Sequence, residues 1–161
     1  MPTGTVSEQI PAASSDVFRL LHDYKRRLEW DTLLKSAYLE AGHDEANINA
    51  VSVCTAKLRF GGIAIRTRYV AFRPGSLAAV QMINRPALFE SFAASIRHTD
   101  ISPSESMITY RFTFTAKPRI LRFILHPVMS WIFGLETKRR LKALRDYFRR
   151  VIAAADRQAG V

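Results

Sequence analysis

The sequence predicts a single α+β domain in which one strand, two short helices, six further strands and a long C-terminal helix follow one another. Three observations carry this reading. Pro118 to Ala155 reads as one helical stretch, apolar in its first half and basic in its second. Between Ser36 and Lys117, six runs rich in β-branched and aromatic residues are separated by turn signals. The length of 161 residues, with 48% hydrophobic and 11% aromatic residues, is enough for one folded domain, 1-161, with a proper core.

Taken in order, Thr5 to Ile10 alternates and is ended by Pro11, which predicts an opening strand. Ser14 or Ser15 then caps a helix with Asp16 in its first turn and Val17, Leu20 and Leu21 on its buried side. A second short helical piece, Lys25 to Leu28, leads to Trp30 and Asp31. The six strands are Ser36 to Glu40, Asn49 to Phe60, Ile63 to Arg73, Leu77 to Ile83, Phe89 to Thr99 and Ser106 to Lys117. Gly61-Gly62, Pro74-Gly75-Ser76, Asn84-Arg85-Pro86 and Ser102-Pro103-Ser104 mark turns between them. Such short connections imply antiparallel neighbours.

Period-two alternation assigns the faces. Ile63, Ile65, Thr67, Tyr69 and Ala71 share one side of their strand, with Arg66 and Arg68 opposite. Ile108, Tyr110, Phe112 and Phe114 share a side in the last strand, as do Phe92, Ala94, Ile96 and His98 in the strand before it. A one-residue bulge would invert any of these assignments.

In the final helix Leu141, Leu144, Phe148, Val151 and Ala155 recur at three and four, opposite Lys138, Lys142, Arg145 and Arg149. Glu136 with Arg140, and Asp146 with Arg150, have the spacing of stabilising i,i+4 pairs. The first half is different, because Arg122, His126 and Ser130 form a polar stripe on the side that Leu141 and Leu144 later occupy. This conflict predicts a break or kink, at His126-Pro127 or at Gly134, and a leading segment able to act as a lid.

The totals exclude several classes. Cys54 is the only cysteine, so no intrachain disulfide can form, and no His, Cys, Asp and Glu grouping has metal-ligand spacing. A reducing, cytoplasmic setting is expected, and Met1 to Ile10 has no signal-peptide pattern. Ile120 to Leu135 spans 16 residues and is interrupted by Arg122 and His126, short of the roughly 20 apolar residues a membrane span needs. The net charge of +10 is compatible with nucleic acid or an anionic membrane as partner. Most of the excess lies on one helix face, Lys138, Arg139, Lys142, Arg145 and Arg149, without the interleaved aromatics of a base-stacking surface. Nucleic acid is therefore disfavoured; a solvated face, or transient docking on an anionic membrane, fits better.

This order of elements, and the segment from Ile10 through Pro-Ala-Ala-Ser-Ser-Asp-Val-Phe-Arg-Leu-Leu-His-Asp to Tyr24, followed by Trp30-Asp31, resembles the START-like (SRPBCC) superfamily, in particular its polyketide cyclase/dehydrase and lipid-transport branch. The resemblance implies a helix-grip fold, a curved antiparallel sheet of about seven strands wrapped around the long C-terminal helix and enclosing a mostly apolar cavity. It implies ligands such as lipids, polyketides or quinones, and it brings no shared catalytic motif.

On that fold, Trp30, Ile65, Thr67, Tyr69, Phe92, Ile96, Tyr110, Phe112, Phe114 and Trp131 are the expected ligand-binding residues, although aromatics on a concave face also serve simply as core. His98 and Tyr110 are the candidate catalytic residues. His98 with Asp100 could form an oriented general base, or could be ordinary polar residues beside a turn. His22 and His43 read as loop or helix-end residues, His126 as a possible gate, and Cys54 as a small buried hydrophobe. The expected function is binding of a hydrophobic small molecule without a cofactor or metal. The alternatives are a cyclase or dehydratase that transfers protons through a cavity Tyr or His, and an interaction module acting through the basic helix face.

Overall fold

The computed structural model describes residues 1–159. Seven strands form one antiparallel sheet in the order β1-β7-β6-β5-β4-β3-β2. Their ranges are β1 Thr3–Ile10, β2 Leu34–Leu39, β3 Val51–Ala56, β4 Ala64–Arg73, β5 Leu77–Met82, β6 Phe89–Ser102 and β7 Glu105–Ala116. Helix α1, Ser14–His22, and a 3-10 turn, Arg27–Glu29, join the two edge strands, and helix α2, Arg122–Ala159, follows β7. This is the expected helix-grip arrangement. Strands from β2 onward are joined by short loops, so each pairs with its successor; the single long connection carries β1 across to pair with β7, for example Val6 with Tyr110.

The inward faces follow the alternation. Ile108, Phe112 and Phe114 on β7 and Phe92, Ala94, Ile96 and His98 on β6 are all buried. On β4, Thr67 and Tyr69 point inward, but the register shifts between Tyr69 and Ala71. Phe72, rather than Ala71, then packs against Tyr69 and Phe18. A bulge of this kind turns the rest of a strand over.

Helix α1 is capped from a distance. The Asp100 carboxylate on β6 accepts the Ser14 backbone N–H at 2.7 Å and the Ser14 hydroxyl at 3.0 Å. That places a negative charge at the positive end of the helix and pins α1 over the sheet.

Helix α2 corrects two expectations. It runs unbroken from Arg122 to Ala159 through Pro127 and Gly134, and its polar stripe turns inward to serve the end of β7. Arg122 Nε donates to the Ala116 carbonyl at 2.7 Å, and His126 Nε2 accepts the Ala116 N–H at 3.2 Å. Phe123, Ile124, Val128 and Trp131 of this half consequently face outward, while Leu125, Met129 and Phe133 pack inward. Further along, Leu141 and Leu144 are buried as expected, whereas residues 151–158 are exposed, so the buried stripe ends near Phe148. No helix among the described residues is long and apolar enough to cross a membrane.

Candidate functional site

Between the concave sheet, α1 and the middle of α2 lies a cavity of about 390 Å³, within the size range of small-molecule sites. Its sheet wall carries Ile63, Ile65, Thr67 and Tyr69 from β4 and its approach, Val80 from β5, Phe92 and Ile96 from β6, and Tyr110 from β7. Met129, Ile132 and Phe133 close it from α2, where they succeed one another on the inward side of the helix. Most of this surface is apolar, and its polar groups fall into two clusters.

The first cluster is a hydrogen-bonded chain. Tyr69 Oη lies 2.8 Å from His22 Nδ1 and 2.9 Å from Tyr24 Oη, and the hydroxyls of Ser52 and Thr67 pair nearby at 2.8 Å. Burial drives these groups toward their neutral forms: the Tyr69 phenol is raised well above its ordinary value by burial and by Tyr24. His22 is held well below the ordinary imidazole value by burial and by the neighbouring Arg27. Around neutral pH the chain is thus an uncharged donor-acceptor array.

The second cluster is ionic. Arg27 Nε donates to Asp31 Oδ2 at 3.0 Å, and Arg140, 109 residues away in sequence, reaches the same oxygen through Nη2 at 2.7 Å. Arg27 also donates to the Leu21 carbonyl and stacks 4.8 Å from the Trp30 ring centroid. Burial raises the pKa of Asp31, but the charges of Arg140 and Arg27 outweigh it, and the carboxyl stays below its ordinary value. Two guanidiniums therefore share one carboxylate where the cavity is bordered by Arg27 and Arg140. Beside them Glu136 pairs with Arg139 through one oxygen, while its buried Oε2 has no hydrogen-bond partner among the described residues.

Six of the expected ligand-binding residues meet here: Ile65, Thr67, Tyr69, Phe92, Ile96 and Tyr110. Four do not. Trp30 is core, packed with Leu20, Leu21 and Leu144. Phe112 and Phe114 are fully buried against Phe133 and fill space that they were expected to line. Trp131 is 70% exposed on the outside of α2, opposite the inward-facing stripe.

The catalytic candidates also separate. Tyr110 borders the cavity. His98 does not: it is 4% exposed, packs edge-on to Phe18, and neither ring nitrogen has a hydrogen-bond partner among the described residues. Asp100 is committed to Ser14, which leaves no oriented His98-Asp100 base. Cys54 is half-buried and borders the cavity, where burial raises its thiol pKa.

Residues that the local pattern did not single out are His22, Tyr24, Arg27, Asp31, Glu136 and Arg140. Arg140 has the right spacing to pair with Glu136 along the helix, yet Arg139 takes that carboxylate and Arg140 turns inward.

The family of polyketide cyclases/dehydrases and lipid-transport proteins has a sequence profile that matches residues 1–149. The chain belongs to this family. No curated protein sequence matches it. Among solved structures, the Zhui aromatase/cyclase from Streptomyces sp. R1128 superposes with a TM-score of 0.82 at 9% identity, covering 96% of this chain and 97% of that one. A START superfamily protein from Mycobacterium smegmatis gives 0.77 at 9% identity, covering 92% and 98%. The protein XoxI from Bacillus cereus gives 0.75 at 18% identity, covering 94% and 98%. At such identities these similarities show the shared fold. Within this polyketide cyclase and lipid-transport fold, the cavity described above occupies the space gripped between sheet and long helix, and its Arg27–Asp31–Arg140 cluster ties the connection after α1 to α2.

Proposed function

We propose that this protein binds a hydrophobic small molecule, of lipid, polyketide or quinone type, in the cavity between the curved sheet and α2. The observation that carries this reading is a cavity of about 390 Å³ with an apolar body and polar groups gathered in two places. Ile65, Val80, Phe92, Ile96 and Phe133 suit the body of such a ligand, and each 100 Å² of apolar ligand surface buried contributes about 2.5 kcal/mol. Tyr110, Arg27 and Arg140 are placed to donate to a carbonyl, phenolate or carboxylate oxygen at its polar end.

Displacement of an environment-sensitive apolar dye by a panel of fatty acids, quinones and aromatic polyketides tests the proposal. Tyr110→Phe should reorder the affinities within the panel while leaving the melting temperature nearly unchanged. An unchanged order would remove Tyr110 from the site, and no displacement by any compound would remove the proposal.

A cyclase- or dehydratase-type reaction is the second reading, favoured by the His22–Tyr69–Tyr24 chain on the cavity wall. Since burial keeps both His22 and Tyr69 neutral, the chain is better suited to orienting a carbonyl than to carrying a proton at neutral pH. Turnover would be expected to depend on His22, and His22→Gln with undiminished turnover would refute that role.

The third reading, interaction through the basic face of α2, is weakened by its ion pairs. Arg139 pairs with Glu136, Arg145 with Glu8 and Asp146, and Arg149 lies 3.9 Å from Asp146.

A further inference from the structure

The uncovered surface of this molecule lies elsewhere, on the outer side of the start of α2. Ile120, Phe123 and Trp131 are 79%, 76% and 70% exposed, and Ile124 and Val128 are exposed with them. Spaced by three and four, these residues form one continuous apolar stripe along the helix and the turn before it. Single exposed apolar side chains are ordinary, but a contiguous stripe with two large aromatics marks an interaction surface.

The stripe reaches the cavity mouth. Ile132 is exposed and also borders the cavity, as does Leu88 from the loop before β6. Leu88 is held at φ 70°, a left-handed conformation rare for a bulky residue, with its carbonyl accepting the Lys117 N–H at 3.0 Å. Across the mouth, Arg59 and Phe60 border the cavity, and their neighbour Leu58 is exposed.

Charge follows the same outline. The three segments 57–63, 83–89 and 116–133 contain Lys57, Arg59, Arg85, Lys117, Arg119 and Arg122, and not one Asp or Glu. None of these six cations forms a salt bridge among the described residues. Lys117 Nζ donates to the Arg85 carbonyl at 3.0 Å, which holds two of the segments side by side.

We propose that this face docks on an anionic lipid bilayer, with Phe123 and Trp131 at the headgroup level and Lys57, Arg59, Arg85, Lys117 and Arg119 among the lipid phosphates. The cavity mouth then opens toward the membrane. An apolar ridge flanked by unpaired cations matches an interface where acyl chain and anionic headgroup meet, and tryptophan is suited to that depth. A second copy of the chain fits less well, because a twofold contact on this face would set like charges against each other. The docking stands on the surface alone; exchange of ligand through the mouth rests in addition on the proposed cavity function.

The test is cosedimentation with vesicles of pure phosphatidylcholine and of phosphatidylcholine containing phosphatidylglycerol, read together with tryptophan emission. Binding should require phosphatidylglycerol, weaken with salt, and shift the emission to the blue, and the shift should vanish in Trp131→Phe because Trp30 is buried. Arg85→Ala and Arg119→Ala should each weaken binding about fivefold, and Phe123→Ser about tenfold. Equal binding to both vesicles, absence of binding, insensitivity to these exposed-site variants, or a dimer abolished by Phe123→Ser would overturn the proposal. Dye binding to the cavity, measured on Phe123→Ser, separates this failure from failure of the cavity reading, since it should be unchanged.

Discussion

Acidification should unfold this protein partly through His98, and the size of the effect follows from its surroundings. Burial lowers its pKa from the ordinary 6.5 to about 4, and neither ring nitrogen has a partner that would compensate a charge. The unfolded chain takes up a proton below pH 6.5, whereas the folded protein takes it up only near 4. The unfolded state therefore binds more protons in that window, and stability falls as pH drops through it. At about 1.4 kcal/mol per pH unit, the full loss amounts to about 3 kcal/mol, of which about 2 is felt by pH 5. His22, also buried and also lowered, adds to the loss in the same direction. Urea unfolding of the wild type and His98→Leu at pH 7 and pH 5 isolates the His98 share, because leucine fills a comparable space without titrating. The variant should lose about 2 kcal/mol less than the wild type between the two pH values. Parallel losses would show that His98 is not buried as a neutral ring and would refute the reasoning.

Two further perturbations probe the packing and the ionic cluster. Asp31→Asn leaves Arg27 and Arg140 buried without their shared carboxylate and should cost about 3–5 kcal/mol in chemical denaturation; a loss below 1 kcal/mol would mean that the guanidiniums find other partners. Gly4→Ala on β1 would set a methyl group 2.3 Å from the Phe112 ring, which is itself fully buried. It should destabilise by about 1–3 kcal/mol by overpacking, and an unchanged melting temperature would contradict the close approach of β1 to that ring.

What could be read from the sequence was what local periodicity encodes. The inward run Ile108, Tyr110, Phe112, Phe114 follows from alternation because β7 is regular over its length. On β4 the same reasoning succeeds as far as Tyr69 and fails at Ala71, where the bulge substitutes Phe72. The polar stripe Arg122–His126–Ser130 was legible, but its partner was not. Two of its members bond the Ala116 peptide at the end of β7, a tertiary contact that turns the apolar stripe, and Trp131 with it, to the outside. Arg140 illustrates the same limit, since i,i+4 spacing favours Glu136 and only the folded chain brings Asp31 within 2.7 Å. Alternation also cannot distinguish residues that line a void from those that fill it. Phe92 and Phe112 share a face pattern, yet one borders the cavity and the other is packed against Phe133.

The central claim, that the space between sheet and helix holds a hydrophobic ligand, is tested most directly by native mass spectrometry of the freshly purified protein. Ile65→Trp, which places a large ring in the cavity, should be measured beside it. The account predicts a stoichiometric adduct on the wild type, extractable into organic solvent or restored by adding an apolar ligand, and its absence from the variant at undiminished folding. An adduct retained by Ile65→Trp would place the ligand outside the cavity, and a wild type that takes up no apolar compound would contradict the claim.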